Sequence, residues 1–323
     1  MMSLMKKFTL TVSILTLFLL PTIAMAEKKI FVSIAPIHSL VQSVLGKSGT
    51  ATLIIKATAS PHGYQLKPSQ MIGLQSAHII FTISPAFETT ISKAVRALKL
   101  EERTLSLIGA KGVELLANRK GGAWENDHDH DHVHEADEAE ETNVVVPENT
   151  DPHIWLDPHN AIAMIREIAA RLSLIYPDEK SIFESNAERL ISDVESLNAD
   201  VVQGLAKASE KPYIVFHDAF QYFEAHYGLN VVGGIAIDPN KKPSISRMNS
   251  IRAQIQKTGA VCAFREPQFS GKLVEVALRG SSARQGILDP IGQDIPLGPN
   301  LYRLLLTQMA TQINSCLIND KKS

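Results

Sequence analysis

The sequence predicts an α/β fold made of two similar lobes, each built on a parallel-type sheet, joined by one long helix. Three observations carry that expectation. Short apolar runs alternate with helix-like stretches in two separate series, the arrangement of a parallel sheet with crossover helices. Between the two series runs a single apolar stripe at helical spacing. The chain has 323 residues, 45% of them hydrophobic, which suffices for two ordinary domain cores.

Residues 1–26 stand apart from the fold. Lys6-Lys7, an apolar run from Phe8 to Leu20, and Ala24-Met25-Ala26 read as a secretory signal peptide cleaved before Glu27. The run is shorter than the roughly 20 apolar residues a spanning helix needs, and no later segment qualifies. No cysteine lies near the cleavage point, so a lipid anchor is not expected. A freely diffusing exported protein is useful inside an enclosed compartment, and the expectation is a Gram-negative periplasm. Losing Lys6 and Lys7 takes the formal charge from −2 to −4, which argues against nucleic acid or an anionic membrane as partner. A monomer is expected.

The first lobe, 27–175, opens with the strand IFVSIA, the helix IHSLVQSVLG ending at Gly46, and a strand from Thr52 to Lys56. The loop TASPHGYQLKPS follows and carries His62. Ser69 is expected to cap a helix over MIGLQSA, followed by AHIIFTIS as strand, AFETTISKAVRAL as helix and RTLSLI as strand. Residues 125–149 contain ENDHDHDHVHEADEAEE, too poor in apolar side chains to offset the entropy of ordering, and are expected to form a disordered surface loop. In DPHIWLDPHN, Ile154-Trp155-Leu156 reads as a short strand that holds His153, and Asp157-Pro158 starts a helix.

The linker, 176–209, is the long helix. Phe183, Ala187, Leu190, Val194, Leu197, Val201 and Leu205 step by threes and fours, marking one apolar stripe between Asp178 and Lys207. At 1.5 Å per residue the helix is roughly 40 Å long, enough to lie along both lobes. A stiff bridge of this kind restricts closure to a small tilt and local loop motion. The second lobe, 210–323, runs through the strand YIVF with His217 at its end, the helix FQYFEAHYG and the strand LNVVGGIAI. A Ser244-capped helix through IRAQIQKTG, the strand AVCAF, LVEVALRG, QGILD and a closing helix LYRLLLTQMATQINSCL complete it.

His62, His153, His217 and Asp289 each sit beside a predicted strand end. Three imidazoles and a carboxylate form a four-coordinate set of the kind Zn²⁺ accepts, with net charge +1 once the ion is bound. His62, His217 and Asp289 fall beyond the carboxyl ends of their strands, where open α/β folds collect ligands; His153 precedes its strand. Spacings this long do not themselves show convergence, and each histidine taken alone reads as a structural hydrogen-bonder. Glu266, Asp218, Asp157 and Tyr64 are candidates to line the cleft or orient a ligand. His38 reads as a helix-start residue, His78 and His226 as packing or surface histidines, and His159 as first-turn decoration. Cys262 and Cys316 suit one disulfide in an oxidising compartment, with two buried thiols as the alternative.

HGYQLKPSQ, HIWLDP, VFHDAFQYF, FREPQF and GILDPIG, in this order, resemble the cluster A-I metal-binding solute-binding proteins of ABC transporters, and within them the zinc-binding branch. The likeness runs from Lys28 to Leu317. It implies zinc held between the lobes by His62, His153, His217 and Asp289, a Cys262–Cys316 disulfide, and delivery to an inner-membrane permease with its ATPase. Manganese-binding members carry a glutamate where this chain has His217, whose softer nitrogen favours zinc. Zinc-binding members often carry a glutamate just before the first histidine; here that position is Pro61, which leaves the fourth ligand as Asp289 or a water. His128, His130, His132 and His134 resemble a histidine-rich loop that captures zinc weakly or docks a periplasmic zinc chaperone. Two other readings remain: a periplasmic zinc hydrolase using three histidines and an activated water, and a zinc buffer acting through that loop alone. No glycine-rich phosphate loop, HExxH or nucleophile elbow is present.

Overall fold

The computed structural model describes residues 27–124, 146–147 and 149–318. Residues 1–26, expected to be a signal peptide, and most of the expected disordered loop 125–149, with the histidines at 128, 130, 132 and 134, lie outside the described residues.

The first lobe is a four-stranded parallel sheet of β1 (Ile30–Val32), β2 (Ala51–Leu53), β3 (Ile79–Thr82) and β4 (Thr104–Ser106), in the order β2-β1-β3-β4. Its connections carry α1 (Ala35–Leu45), α2 (Pro68–Gln75) and α3 (Thr89–Leu98). All four residues of β3 are buried, as expected of an inner strand in a sheet covered on both faces. Gly46 ends α1 with a positive φ, the position where a glycine cap avoids the Cβ penalty. Two helix starts differ from expectation. α2 begins at Pro68 behind Lys67, because proline is pre-set for the first helical position and Gln70 accepts from the Lys67 N–H. α3 begins only at Thr89, because the carboxylate of Glu88 turns back to accept from the N–H groups of Ile83 and Ser84.

After the first sheet the chain passes a one-turn 3₁₀ helix, Ile154–Leu156, where a strand was expected. All three residues are buried, and so short an apolar run does not distinguish a strand from a buried helical turn. Asp157 then caps α4 (Pro158–Ile175), accepting from the His159 N–H at 2.8 Å. Near the end of the charged 125–149 stretch, Val146 packs against the core and Asn149 accepts from the Asn118 N–H, so that stretch is anchored at its C-terminal edge.

α5 (Lys180–Leu205) is 26 residues long, about 39 Å at helical rise. Phe183, Ala187, Val194, Leu197, Val201 and Leu205 of its stripe are buried and Leu190 is partly buried against the same core. The helix packs on α4 and on α1 of the first lobe. It also packs on α9 (Leu301–Leu317), which in turn meets α1. The second lobe repeats the first: β5 (Tyr213–His217), α6 (Gln221–Tyr227), β6 (Val231–Ala236), α7 (Ile245–Thr258), β7 (Cys262–Arg265), α8 (Lys272–Leu278) and β8 (Arg284–Ile287). Its sheet is parallel in the order β6-β5-β7-β8. One apolar cluster runs without a break from Ile30 and Phe81 through Trp155, Phe183 and Val201 to Phe223 and Leu306. The lobes therefore share a core across α4 and α5, and any opening that parted them along it would expose apolar surface.

Cys262 at the start of β7 and Cys316 in the last turn of α9 form a disulfide with Cα atoms 6.2 Å apart. On β8, Gly286 pairs with Phe264, and a Cβ there would stand 2.5 Å from the Phe264 ring and 3.2 Å from the Cys316 sulfur.

Candidate metal centre

Two loops and a strand end deliver the histidines. His62 lies between β2 and α2, and the chain turns directly after it at Gly63, whose φ of +72° is left-handed and favours glycine. His153 precedes the buried 3₁₀ turn. There Asp151 Oδ1 accepts both from the His153 backbone N–H at 3.0 Å and from its ring Nδ1 at 2.6 Å. His217 is the last residue of β5, and its Nδ1 stands 2.5 Å from Oε1 of Glu266, the residue after the neighbouring strand β7. Trp155 fixes the turn from below: its Nε1 donates to the Pro290 carbonyl and the Tyr302 hydroxyl donates to the Trp155 carbonyl.

The three rings converge. Their centroids form a near-equilateral triangle with sides of 5.4 Å (His62–His153), 5.3 Å (His62–His217) and 5.4 Å (His153–His217). Nε2 of His62 and Nε2 of His153 are 3.3 Å apart, while Nε2 of His217 is buried with no hydrogen-bond partner among the described residues. With Nδ1 of His153 and of His217 each held by a carboxylate, the ring proton sits on Nδ1 and the Nε2 lone pairs face one another. Phe87 and Phe269 wall the rings, at 4.9 Å from His62 and 5.9 Å from His217.

The electrostatics of this cluster suit a cation. Burial holds His62 well below the ordinary histidine value, and positive charge on His217 or His153 would depress it further. Burial likewise holds His153 far down, with His217 adding to it. Burial also pulls on His217, but the Glu266 carboxylate, by charge and hydrogen bond, with Asp218 and Asp151 behind it, outweighs that and raises it. Asp151 is raised to about 7, by burial above all, against the His153 backbone bond and Arg119. Glu266 is raised by burial against the pull of His217. Burial thus keeps His62 and His153 neutral, with ring lone pairs available to a metal ion, and the two buried carboxyls behind His153 and His217 can balance the charge such an ion brings.

The other expected residues fall around this triangle. The Asp289 oxygens are engaged within their own turn: Oδ1 accepts from Gln268 Nε2 at 2.9 Å and from the Ile291 N–H at 3.0 Å, and Oδ2 accepts from the Gln293 N–H at 2.5 Å. Among the described residues the donor atoms that converge within 4.8 Å here are those of the three histidines, without Asp289. The turn nonetheless forms part of the wall, through Pro290 and Ile291. Asp218 accepts from Arg119 at 2.9 Å, and the same guanidinium meets Glu224 at 2.7 Å. Burial raises Asp218 to about 6, with Arg119 opposing. The Tyr64 hydroxyl donates to Gln70 at the start of α2, and His38 is held by the Ala51 carbonyl at 3.0 Å. Sequence reading missed Asp151. Its signal was present in DPH: an Asp two residues before a buried histidine readily bonds that residue's backbone N–H.

The sequence profile described as "Zinc-uptake complex component A periplasmic" (ZnuA) matches residues 30–316. The chain is similar to the high-affinity zinc uptake system protein ZnuA of Brucella abortus, 36% identical over 92% of this chain and 93% of that one. It is also similar to the protein of the same name from Paracoccus denitrificans, 32% identical over 90% and 91%. Among solved structures, "Crystal structure of ZnuA" superposes with a TM-score of 0.72 at 23% identity, covering 90% of this chain and 99% of that one, a likeness of fold. The manganese-bound solute-binding protein FpvC of Pseudomonas aeruginosa superposes with a TM-score of 0.73 at 18% identity, covering 89% of this chain and 97% of that one, again a likeness of fold. With the profile spanning nearly all of both lobes and relatives this similar along their full length, the chain belongs to the ZnuA family of periplasmic zinc-uptake components.

Proposed function

We propose that this protein is a periplasmic solute-binding protein that captures Zn²⁺ on His62, His153 and His217 and presents it to an ABC permease driven by a cytoplasmic ATPase. One observation carries the ligand set. Two nitrogens bound tetrahedrally to one zinc at about 2.0–2.1 Å stand about 3.3–3.4 Å apart, and Nε2 of His62 and Nε2 of His153 are 3.3 Å apart. Nε2 of His217, without a hydrogen-bond partner among the described residues, supplies the third donor. Asp289 is the proposed fourth ligand, and coordinating the ion requires an oxygen to exchange a turn hydrogen bond for it, so Asp289→Asn weakens binding less than loss of any of the three histidines. Residues 1–26 serve as the export signal, the mature chain is a monomer, and the histidines at 128–134 collect zinc for the cleft or dock a zinc chaperone. No described helix is long and apolar enough to cross a membrane.

No reaction is assigned to the site. A zinc hydrolase needs a base placed to take a proton from bound water. Here Pro61 stands beside His62, and the nearby carboxyls of Asp151 and Glu266 are bonded to ring Nδ1 atoms instead. The deciding experiment is zinc stoichiometry and affinity by competition with a calibrated chelator, on mature protein with and without residues 127–141, with Mn²⁺ as competitor. One tight site in both forms that resists Mn²⁺ is the expected result. Loss of tight binding with the 127–141 segment would support the buffer reading instead, and zinc-dependent turnover of esters or peptides, abolished by His217→Ala, the hydrolase.

Two further results follow from the carboxylates behind the rings. Asp151→Asn and Glu266→Gln each keep the shape but remove the charge that orients an imidazole and strengthens its donor nitrogen. Each should weaken zinc binding by roughly 10–100-fold while the fold is retained. Binding should also depend on pH through His217, because a protonated ring is no ligand and its proton is held above the ordinary range. Affinity should fall as pH drops through the His217 value, by about one log unit per pH unit. It should fall more steeply at lower pH, where His62 and His153 also begin to take protons. In Glu266→Gln the onset moves to lower pH. A pH-independent affinity across the neutral range would contradict this ordering.

A further inference from the structure

Among the described residues, one other group of metal-ligating side chains converges: Asp157, His159 and His226, with donor atoms within 4.8 Å of one another. Asp157 comes from the cap of α4, where Oδ1 accepts from the His159 N–H at 2.8 Å. The same oxygen stands 3.1 Å from Nδ1 of His226 on α6. The rings of His159 and His226 meet edge to face with centroids 4.8 Å apart. His226 Nε2 lies 2.8 Å from Oδ1 of Asn198 on α5.

This arrangement can receive a cation. With Asn198 Oδ1 accepting from Nε2 of His226, the Nδ1 lone pair of the neutral ring faces the Asp157 carboxylate at 3.1 Å, a pairing that a metal ion satisfies. The exposed ring of His159 brings a further nitrogen donor to the same point. The neighbouring Tyr227 hydroxyl is buried without a hydrogen-bond partner among the described residues, next to His226 at 4.6 Å between rings. Burial first, and then the Asp157 charge, hold that phenol far above its ordinary range.

We propose that Asp157, His159 and His226 form a second, weaker site for a borderline divalent cation such as Zn²⁺, a two-histidine, one-carboxylate set completed by water. The site is separate from the three-histidine centre: the buried 3₁₀ turn Ile154–Leu156 lies between Asp157 and His153. Its ligands come from the start of α4 on one side and from α6 of the second lobe on the other, with Asn198 of α5 behind them. An ion here ties the second lobe to the helix pair that joins the lobes. It binds more weakly than the buried centre because the exposed His159 side chain loses freedom on ordering and water competes for the ion.

The test is a zinc titration of the full mature chain in which His128, His130, His132 and His134 are replaced by asparagine, so that those histidines contribute nothing. Two steps are expected, one tight equivalent followed by one weaker equivalent. His159→Gln and His226→Gln should each abolish the second step and leave the first. Crystals with excess zinc should show anomalous density at the zinc edge on the three side chains. Absence of a second step, a second step that survives both substitutions, or density elsewhere overturns the proposal. His159 is exposed, so His159→Gln reports on ligation without disturbing the core. Failure of the three-histidine centre would appear separately in the same titration, as absence of the first step.

Discussion

Replacing His217 by alanine is expected to abolish tight zinc binding, with a loss well beyond the roughly 10–100-fold caused by removing a group that only orients a ligand. His217 is the one ring whose donor nitrogen has no partner among the described residues, so in the ion-free protein that nitrogen is desolvated without compensation. A bound ion relieves that penalty, and alanine removes both the penalty and the bond. The substitution also strands Glu266, 1% exposed, whose nearest positive partner is the His217 ring. The stranded carboxyl is then expected to take up a proton, because an isolated buried charge costs several kcal/mol. Glu266→Gln added to His217→Ala should therefore recover stability in urea denaturation without recovering affinity in chelator competition. If the single variant kept tight zinc binding, His217 would be a structural residue and the ligand set would have to be sought elsewhere.

That separation of roles was only partly legible in the sequence. The α5 stripe was legible because helical burial repeats at a local period, and Phe183 to Leu205 are buried at the spacing read, Leu190 only in part. The strand carrying His217 was legible for the same reason, since Tyr213 to Phe216 form a short apolar run at a typical strand length. Convergence of residues 62, 153 and 217 was not, because it depends on two sheets facing across a shared core, a relation set by crossovers and by α4 and α5 rather than by any local pattern. The family resemblance supplied the histidine set; spacing alone did not. The 3₁₀ turn at Ile154–Leu156 was read as a strand because three apolar residues in a row look the same in either. The partners of His226 were not legible for a related reason: Asp157 and Asn198 come from other elements, so alone in FEAHYG it reads only as a packing or surface histidine.

Removing the disulfide, by replacing Cys262 and Cys316 with alanine together, should lower stability by about 4 kcal/mol on the chain-entropy model. The bridge closes a loop of 54 residues that contains β7, α8, β8 and most of α9, so its loss frees nearly all of the second half of the second lobe in the unfolded chain. The effect on zinc should be small. Cys262 begins β7 and Glu266 follows its end, so the bridge and the ring-orienting carboxylate lie a strand's length apart, about 13 Å at the rise of a parallel strand. Under native conditions α9 remains docked through Tyr302, Leu305, Leu306, Met309 and Ile313, all buried and independent of the sulfurs. The double variant should thus unfold at lower urea concentration while its affinity in chelator competition matches the parent. A matching loss of affinity would mean instead that the β7–α9 link sets the position of Glu266, and with it the His217 ring, so that the oxidation state of this bridge would control metal capture as well as stability.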